Sequence, residues 1–562
     1  MNLLALFKSM PLASLTLLLP LLGAAVIGIV LLCNRLFSKR KEATMPRIAY
    51  KLPFFLLLVA GFVLSWVLWR HAAGASAATY AFDGAQWSGV LADIGSVRGL
   101  MRVDAFGAIS AVLMSFVAMT AGVRALADRD NTITPMKVIF FLLTCAGVQG
   151  IFYLNGLFAI FLSLMVAQAG VTGLYSGFRD HGPTRAATVC YYVSRVILLI
   201  MFIGGALMLR IKYGTDNVTM LAQTIEPNTV TLWAFILLAT PMLYIFMKPS
   251  PYVPDAARIC FFGIRTQASL FVFFRVLFSL YGPMRGLQKV PVLFMILGLV
   301  LALAALMLSC DAHDPKRFMG AMIFYIKGAV LTAVGIAMHG SFSAERAALY
   351  GVSALESMIS QWLVFLPVSA ALAIITVYLK QESGGHELWK EGRLFEAIPF
   401  TLFCIFTVIA VMAGLPPFIG YGGRQLLFRS ANFISPFVFA ATFLFTVMML
   451  FTGLRFLLHL TAERERHRSE YYFRGESSIA LPLMLLVALF TVMTIFPGAV
   501  FEQAVAPSAV SLMNRVIPSA ITAPAAEPAS SEDIPVRTDE DADAESDASE
   551  DSAEAPEEAD EQ

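Results

Sequence analysis

The sequence AGLPPFIGYGGRQLLF, Ala413 to Phe428, lies within an apolar stretch long enough to cross a membrane. It holds two adjacent prolines, four glycines and an arginine, which do not suit a continuous spanning helix. Proline lacks a backbone N–H and clashes with the preceding turn, so Pro416 and Pro417 predict a helix break near mid-membrane. Freed backbone groups cannot face lipid, so the break indicates an internal, polar or hydrated site.

The composition places this stretch in a polytopic membrane protein. Hydrophobic residues make up 58% of the 562 residues and charged residues 14%, whereas a soluble domain carries roughly a quarter charged residues. Hydropathy predicts about fourteen spans, of which the first lacks a convincing cleavage site and is expected to be a retained helix. Their approximate ranges are 13–32, 51–69, 104–126, 137–153, 155–176, 187–209, 230–247, 259–282, 290–309, 318–339, 352–379, 395–428, 434–458 and 479–499.

Charged residues are distributed unevenly between the loops and the C-terminal region. Basic residues concentrate in alternate loops, including Arg35–Lys51, Lys316–Arg317 and Arg464–Arg474. The positive-inside rule therefore predicts that these loops are cytoplasmic and that both termini are periplasmic. Residues 526–562 hold 16 acidic residues against one base, Arg537, and no aromatic residue, which predicts a disordered tail. The tail either docks a basic partner or serves only solubility, and we favour the second.

The cysteines and short motifs predict no metal site and no cofactor. The six cysteines lie in or beside apolar runs and show no C-x-x-C spacing, so neither a metal site nor a disulfide framework is supported. The sequence contains no nucleotide, flavin, quinone or iron–sulfur signature. It also supplies no nucleic-acid-binding pattern and no catalytic constellation.

Three further stretches accompany the proline motif in a fixed order. YIFMKPSPYVPDAARI (Tyr244–Ile259) joins the seventh and eighth spans, DPKRFMGAMIFYIKG (Asp314–Gly328) opens the tenth, and MRVDAF opens the third with Asp104. Together they resemble the antiporter-like membrane subunits of the NADH-quinone oxidoreductase family. That family includes subunits of energy-converting hydrogenases and of multisubunit cation/proton antiporters. Its G-x-P-P-x-x-G-[FY]-x-x-[KR] pattern is met by Gly414 to Arg424.

The resemblance implies an all-α fold with two inverted five-helix repeats, spans four to eight and nine to thirteen. Each repeat has one broken helix, in spans seven and twelve. The residues expected at the breaks are Pro249, Pro251, Pro254, Gly414, Pro416, Pro417 and Gly420. The expected domains are N-terminal helices in 1–103, an antiporter-like core in 104–460, a loop and last helix in 461–525, and the tail in 526–562.

The resemblance also implies a lateral chain of Lys, Glu and His that exchanges protons at mid-membrane, but this sequence departs from it. The positions that the family fills with those residues fall on Ser163, Leu243, Arg275, Ser357, Gln361 and Arg424. Arginine keeps its proton, so it can shape a field or hold an ion pair but cannot be a cycling carrier. The family relay is therefore not intact in this chain.

Other charges inside predicted spans provide a substitute path. Arg195, Lys327 and Glu356 fall within spans, and His339 ends the tenth. The candidate ion pathway comprises Lys248, Arg275, Lys327, Glu356 and Arg424. Lys327 is the best candidate carrier, because it is the only lysine near the centre of a span. Alternatively, these charges only pair with each other or with partner subunits.

Two functions follow from these observations. The first is a proton- or Na⁺-translocating subunit of a respiratory or hydrogenase-like complex, with a rewired or degenerate relay. The second is a structural paralogue that does not pump; a stand-alone antiporter is a third alternative. The expected partners are other membrane subunits and the lipid bilayer, and any redox centre would lie in those subunits. The expected location is a bacterial inner membrane.

Overall fold

The computed structural model of the protein consists almost entirely of helices in the part of the chain that it describes. That part comprises residues 12–37, 47–74, 80–82, 101–127, 134–176, 185–245, 264–310, 312, 315–381, 399–461 and 477–513. Residues 519–562, which include the predicted acidic tail, lie outside the described residues. The predicted all-α class is confirmed.

The first half of the chain contains nine α-helices and one small β-hairpin among the described residues. The helices are α1 (Leu12–Phe37), α2 (Arg47–Gly74), α3 (Ala105–Ala127), α4 (Pro135–Tyr153), α5 (Leu157–Ser176), α6 (Arg185–Tyr213), α7 (Val218–Thr224), α8 (Thr229–Leu238) and α9 (Arg265–Phe274). The hairpin pairs β1 (Tyr80–Phe82) antiparallel with β2 (Met101–Val103), just before α3. Helix α8 leads into a 3₁₀ turn, Thr240–Ile245, and α9 continues as a π-helix, Arg275–Tyr281.

The described part of the second half contains one helix interrupted at adjacent prolines, short π-helical segments and one sharp bend. Its longer helices are α10 (Val290–Cys310), α11 (Pro315–Gly340), α12 (Val352–Gln381), α13 (Pro399–Ala413), α14 (Ile419–Ile434), α15 (Pro436–Thr461), α16 (Ser477–Ile495) and α17 (Ala506–Met513). A π-helix, Ala347–Gly351, leads into α12. Beyond α16 the chain bends by 97°, and the segment Pro497–Met513 follows the bend. The fourteenth predicted span, 479–499, therefore extends past the real helix end, because Pro497 follows Ile495 so closely.

Ten helices in the described part are long and apolar enough to cross a membrane, or eleven if the bent pair is one span. Each of the fourteen predicted spans coincides with one helix or a consecutive pair of helices. Helices α8, α9, α13 and α14 are too short to pass alone. Large apolar side chains such as Leu293, Ile296 and Val300 of α10 are exposed, as lipid contact requires. The chain is a multi-pass membrane protein, and the count of fourteen stays a prediction.

Glycines set the distance between α10 and α11. A Cβ atom on Gly298 would lie 2.5 Å from the backbone nitrogen of Thr332, and one on Gly328 would lie 2.7 Å from that of Ala302. The two backbones therefore touch, which only glycine at these positions permits. Helices α4 and α5 meet in the same manner at Gly147.

The chain loses helical structure where the proline motif predicts it. Helix α13 ends at Ala413 and α14 begins at Ile419, with Pro416 and Pro417 between them. In the seventh predicted span the α-helix ends at Leu238. The residues expected at that second break, Pro249, Pro251 and Pro254, lie outside the described residues.

Candidate functional site

A buried ion pair joins the start of α3 to the end of α9. Arg275 donates from Nη2 to Oδ2 of Asp104 at 2.8 Å, and both side chains are at most 4% exposed. The other carboxylate oxygen of Asp104 accepts from the backbone N–H of Gly107 at 2.7 Å, which caps the first turn of α3. Both oxygens of this carboxylate are therefore used inside the protein.

Arg275 makes two further contacts. Its Nη2 lies 3.4 Å from the carbonyl oxygen of Phe152, the residue before the end of α4, and its guanidinium stacks 4.9 Å from the ring centre of Phe271. The pathway candidate Arg275 is thus held by a carboxylate in the described structure. The MRVDAF stretch drew attention to Asp104 in the sequence, but no role was predicted for its side chain.

Polar side chains surround this ion pair at the same end of the helices. Arg102, two residues before Asp104, donates from Nη1 to Oγ1 of Thr219 at 3.1 Å and interacts electrostatically with both members of the pair. Asn155 donates to the same Thr219 oxygen and to Oδ1 of Asn217, each at 2.9 Å. These bonds tie the hairpin, the loop after α4 and the start of α7 into one polar layer.

The break between α13 and α14 requires glycine at two positions. Gly414 has φ +67°, and a Cβ atom there would lie 2.6 Å from Cγ of Arg424. A Cβ atom on Gly420 would collide with the carbonyl oxygen of Val411. The predicted glycine roles therefore have concrete causes, namely a left-handed conformation at Gly414 and close backbone approach at Gly420.

Arg424 is buried beside this break. It is 4% exposed, its Nη2 lies 3.4 Å from the carbonyl oxygen of Met412, and its guanidinium is 4.8 Å from the ring centre of Tyr325 in α11. The hydroxyl of Tyr325 hydrogen-bonds Oγ1 of Thr446 in α15 at 3.0 Å. No carboxylate among the described residues lies within 4.0 Å of this guanidinium.

Lys327 lies on the same helix as Tyr325, near the middle of α11. It is 5% exposed, and its ammonium is 5.2 Å from the ring centre of Phe324. Arg195 of α6, also buried, is near enough to interact with Lys327 electrostatically. Lys327 is thus two residues from Tyr325, the ring over which Arg424 of α14 lies, and it is also near Arg195, which the sequence had offered as a substitute charge.

Helix α12 contributes neutral groups where the family has charged ones. Ser357 donates to the carbonyl oxygen of Gly423 at 2.7 Å, and Gln361 donates from Nε2 to Oγ of Ser357 at 2.9 Å. Both side chains are buried; the hydroxyl of Ser357 bonds α12 to α14 directly before Arg424, and Gln361 donates to that hydroxyl from within α12. Glu356, the neighbouring pathway candidate, is only partly buried.

An aromatic cluster lies between the Arg275 site and the Ser357–Gln361 pair. Phe271 packs 4.8 Å from Phe106 and 4.8 Å from Phe152, and Phe106 packs 4.8 Å from Trp362. Gln267 donates from Nε2 to the carbonyl oxygen of Trp362 at 3.1 Å. Since Phe271 also stacks on Arg275 and Trp362 follows Gln361 in α12, rings separate the two polar regions.

The buried charges in the described part of the chain are strongly one-sided. The one buried acid is Asp104, and the buried bases are Lys51, Arg195, Arg265, Arg275, Lys327 and Arg424. The described residues contain no group of three or more His, Cys, Asp or Glu side chains that could hold a metal ion. Lys248, the remaining pathway candidate, lies outside them.

Sequence comparison finds relatives among ion-translocating membrane proteins. No protein-family model matches the chain. It is 23% identical over 414 residues to the D subunit of a Na(+)/H(+) antiporter of Alkalihalophilus pseudofirmus, covering 70% of this chain and 80% of that protein. It is 22% identical to the corresponding antiporter protein of Bacillus subtilis, covering 72% and 82%. It is also 21% identical to the N subunit of NADH-quinone oxidoreductase from Desulforamulus reducens, covering 43% and 48%.

Solved structures share the fold at low identity. A chain of the Mrp complex from Dietzia sp. DQ12-45-1b superposes with a TM-score of 0.72 at 16% identity, covering 91% of this chain and 99% of the other. A chain of respiratory complex I from Thermus thermophilus superposes with a TM-score of 0.66 at 17% identity, covering 89% and 99%. This chain is accordingly homologous to the D subunit of Na(+)/H(+) antiporters and to the N subunit of NADH-quinone oxidoreductase, and it shares its fold with chains of the Mrp complex and of respiratory complex I.

Proposed function

We propose that this chain translocates protons or Na⁺ as a membrane subunit of a multisubunit respiratory or hydrogenase-like complex, with Lys327 as the proton carrier. The observation that carries the proposal is the burial of Lys327 near the middle of α11, within electrostatic range of Arg195 and two residues from Tyr325, over which Arg424 lies. The names of the relatives, a Na(+)/H(+) antiporter subunit and a quinone oxidoreductase subunit, support the same class of function.

The choice of carrier follows from the chemistry of the side chains. Arginine stays protonated throughout the physiological range, so Arg195 and Arg424 supply fixed positive charge. A lysine ammonium can give up and regain its proton when it is buried. Of the basic side chains in this cluster, Lys327 is therefore the one able to exchange.

The other pathway candidates have different roles in this proposal. Arg275 is neutralised by Asp104 and anchors α9 to α3 rather than passing protons. Glu356, one residue before the Ser357 contact in α12, would exchange protons with one aqueous side. Lys248 would extend the pathway towards the cytoplasm.

Partner subunits are part of the proposal. The solved structures that share the fold are multisubunit membrane complexes, the Mrp complex and respiratory complex I. The redox centres of such a complex would lie in those subunits, because this chain carries no signature for one.

The orientation of the chain is part of the proposal. The loops Arg35–Lys51, Lys316–Arg317 and Arg464–Arg474 would be cytoplasmic and both termini periplasmic, in a bacterial inner membrane. The test is a cysteine in the tail, for example Ser531→Cys, probed with a membrane-impermeant thiol reagent. Labelling from the cytoplasmic side alone would contradict this orientation.

Exchange of Lys327 for Met tests the carrier directly. Methionine keeps most of the volume but removes the site of protonation, so we expect proton movement to be lost while the complex still assembles. The measurement is proton uptake into vesicles that contain the assembled complex, with complex content checked by native gel. The matched control is Lys212→Met, which removes an exposed lysine at the end of α6. Unchanged proton uptake in Lys327→Met would end the carrier hypothesis.

A structural, non-pumping role is the alternative, and one observation favours it. Arg275 and Asp104 neutralise each other in a buried ion pair. In addition, Ser163, Ser357 and Gln361 cannot carry protons as Glu, His or Lys do. In that case, Lys327→Met would alter neither pumping nor assembly, whereas breaking the contacts of α14 would impair assembly. The same vesicle measurement therefore separates the two functions.

A further inference from the structure

A small cavity lies between α1, α2, α3 and α4, apart from the Lys327 cluster. Its volume is about 20 Å³, and its lining includes Gly61, Met114, Ser115, Cys145 and Gln149. A cavity of about 10–15 Å³ suffices for one water molecule when polar groups line it. The cavity is therefore of the right size for one small ligand.

Two of the lining side chains are polar, and one of them has an unused acceptor. Gln149 is 3% exposed, and its Oε1 atom is buried without a hydrogen bond in the described structure. Its Nε2 atom donates to Oγ of Ser115 over a long 3.4 Å. Ser115 in turn shares a hydrogen bond of 3.1 Å with Ser65 of α2. A buried amide oxygen normally has a partner, so this one points to a ligand in the adjacent space.

The polar surroundings extend beyond the cavity. The buried hydroxyl of Tyr153 lies beside the hydroxyls of Thr16 and Ser65. Pro20, which lines the cavity, cannot donate to the carbonyl of Thr16 one turn earlier in α1. Hydroxyl, amide and carbonyl groups from four helices thus converge on one region of an otherwise apolar interface.

We propose that this cavity binds one water molecule, which donates a hydrogen bond to Oε1 of Gln149 and bonds to the hydroxyl of Ser115. A metal cation does not fit, because the lining offers a few neutral oxygens, no carboxylate, and too little space for a coordination shell. The water site links α3 to α4 next to the Ser65 contact with α2. It is independent of the proposed function, since it neither uses nor requires Lys327.

Radiolytic footprinting of the full-length protein in lipid nanodiscs tests this site. X-ray pulses generate hydroxyl radicals from water in place, and nearby sulfur side chains are oxidised. Cys145 and Met114 line the cavity and serve as reporters, although Cys145 is buried. We expect Cys145 to be oxidised in a dose-dependent manner, while Cys404, equally buried, stays unmodified. Equal protection of the two cysteines would overturn the proposal.

A filled cavity provides the second measurement. A Cβ atom on Gly61 would meet no atom within 4 Å although Gly61 is buried, so Gly61→Ala places a methyl group in the cavity without a clash. Gly320→Ala is the matched control, because its Cβ would also meet nothing within 4 Å, on a helix away from the cavity. We expect oxidation of Cys145 to slow several-fold in Gly61→Ala and to stay unchanged in Gly320→Ala. An unchanged rate in Gly61→Ala would also overturn the water site.

Discussion

Arg275 and Arg424 are buried to the same degree, one in each half of the chain, and their surroundings match in two respects. Each donates from Nη2 over 3.4 Å to the carbonyl of the residue before a helix end, Phe152 of α4 or Met412 of α13. Each stacks on an aromatic ring, at 4.9 Å and 4.8 Å respectively. A helix C-terminus and a ring face both favour a cation. The difference is Asp104, which neutralises Arg275 and has no counterpart at Arg424 in the described residues.

That difference separates the two halves of the chain by whether a buried carboxylate neutralises the buried arginine. The ion pair between Arg275 and Asp104 fixes α9 against α3, and the carboxylate of Asp104 neutralises the positive charge of Arg275. At Arg424 the positive charge stays available to influence its neighbours, and Lys327 lies two residues from the ring on which Arg424 stacks. The first half of the chain therefore holds its buried arginine in an ion pair, whereas the second half keeps a buried arginine near Lys327, the proposed carrier.

The largest expected effect comes from breaking the anchor. Asp104→Asn leaves Arg275 buried without its counter-charge, so we expect a loss of roughly 3–5 kcal/mol in the free energy of unfolding. The measurement is thermal unfolding of the purified complex in detergent. Adding Arg275→Met to Asp104→Asn should recover most of that loss. A single variant as stable as the parent would show that the ion pair does not anchor α9.

The next effect concerns the break beside Arg424. Gly414→Ala forces a side chain into φ +67° and against Cγ of Arg424, so we expect a cost of roughly 1–3 kcal/mol. Gly204→Ala is the control, because its Cβ would have only an ordinary contact, 3.8 Å from Leu237. Thermal unfolding of both variants under the same conditions measures the difference. Equal stability of the two would mean that the conformation at Gly414 is not required.

A smaller effect is expected at the neutral contact between α12 and α14. Ser357→Ala removes the hydrogen bond to the Gly423 carbonyl, which should cost about 1 kcal/mol. Ser353→Ala, one turn earlier on α12, should cost less, because Ser353 is only partly buried. Unfolding in detergent compares the two variants. A greater loss in Ser353→Ala would contradict this assignment.

The smallest effect is expected from Arg424→Lys. Lysine keeps the positive charge over Tyr325 and gives up only a long 3.4 Å hydrogen bond, so stability should change by less than about 1 kcal/mol. The exchange also returns a lysine to the position where the family pattern allows one. Proton uptake into vesicles should therefore be kept or increased. Loss of uptake with intact assembly would show that the planar guanidinium itself is needed.

The sequence predicted the features that depend on local chemistry. The break at Pro416 and Pro417 and the position of Lys327 and Arg424 inside spans follow from residue type within an apolar stretch, whereas the left-handed conformation of Gly414 was not predicted. The bounds of most long helices lie within a few residues of the predicted spans for the same reason, since each apolar run must form its own hydrogen bonds in lipid; the seventh and fourteenth spans are the exceptions.

The sequence could not predict which distant residues meet. Asp104 and Arg275 are 171 positions apart, and no spacing rule connects them. The π-helix after Phe274 and the aromatic cluster around Phe271 depend on packing between helices, which a one-dimensional pattern does not specify. Pro497 was a visible signal for the bend after α16, but the apolar residues around it hid the end of the helix.

The glycine contacts between α10 and α11 also determine which motions are available to Lys327, the proposed carrier. Because these backbones touch at Gly298 and Gly328, α10 and α11 must move as one body, and Lys327 is attached directly beside that contact. Rearrangements of packed helices take microseconds to milliseconds, whereas side-chain rotation is far faster. The ammonium of Lys327 can therefore change its position by rotation of its own four-carbon stem, on a timescale separate from that of the helices around it.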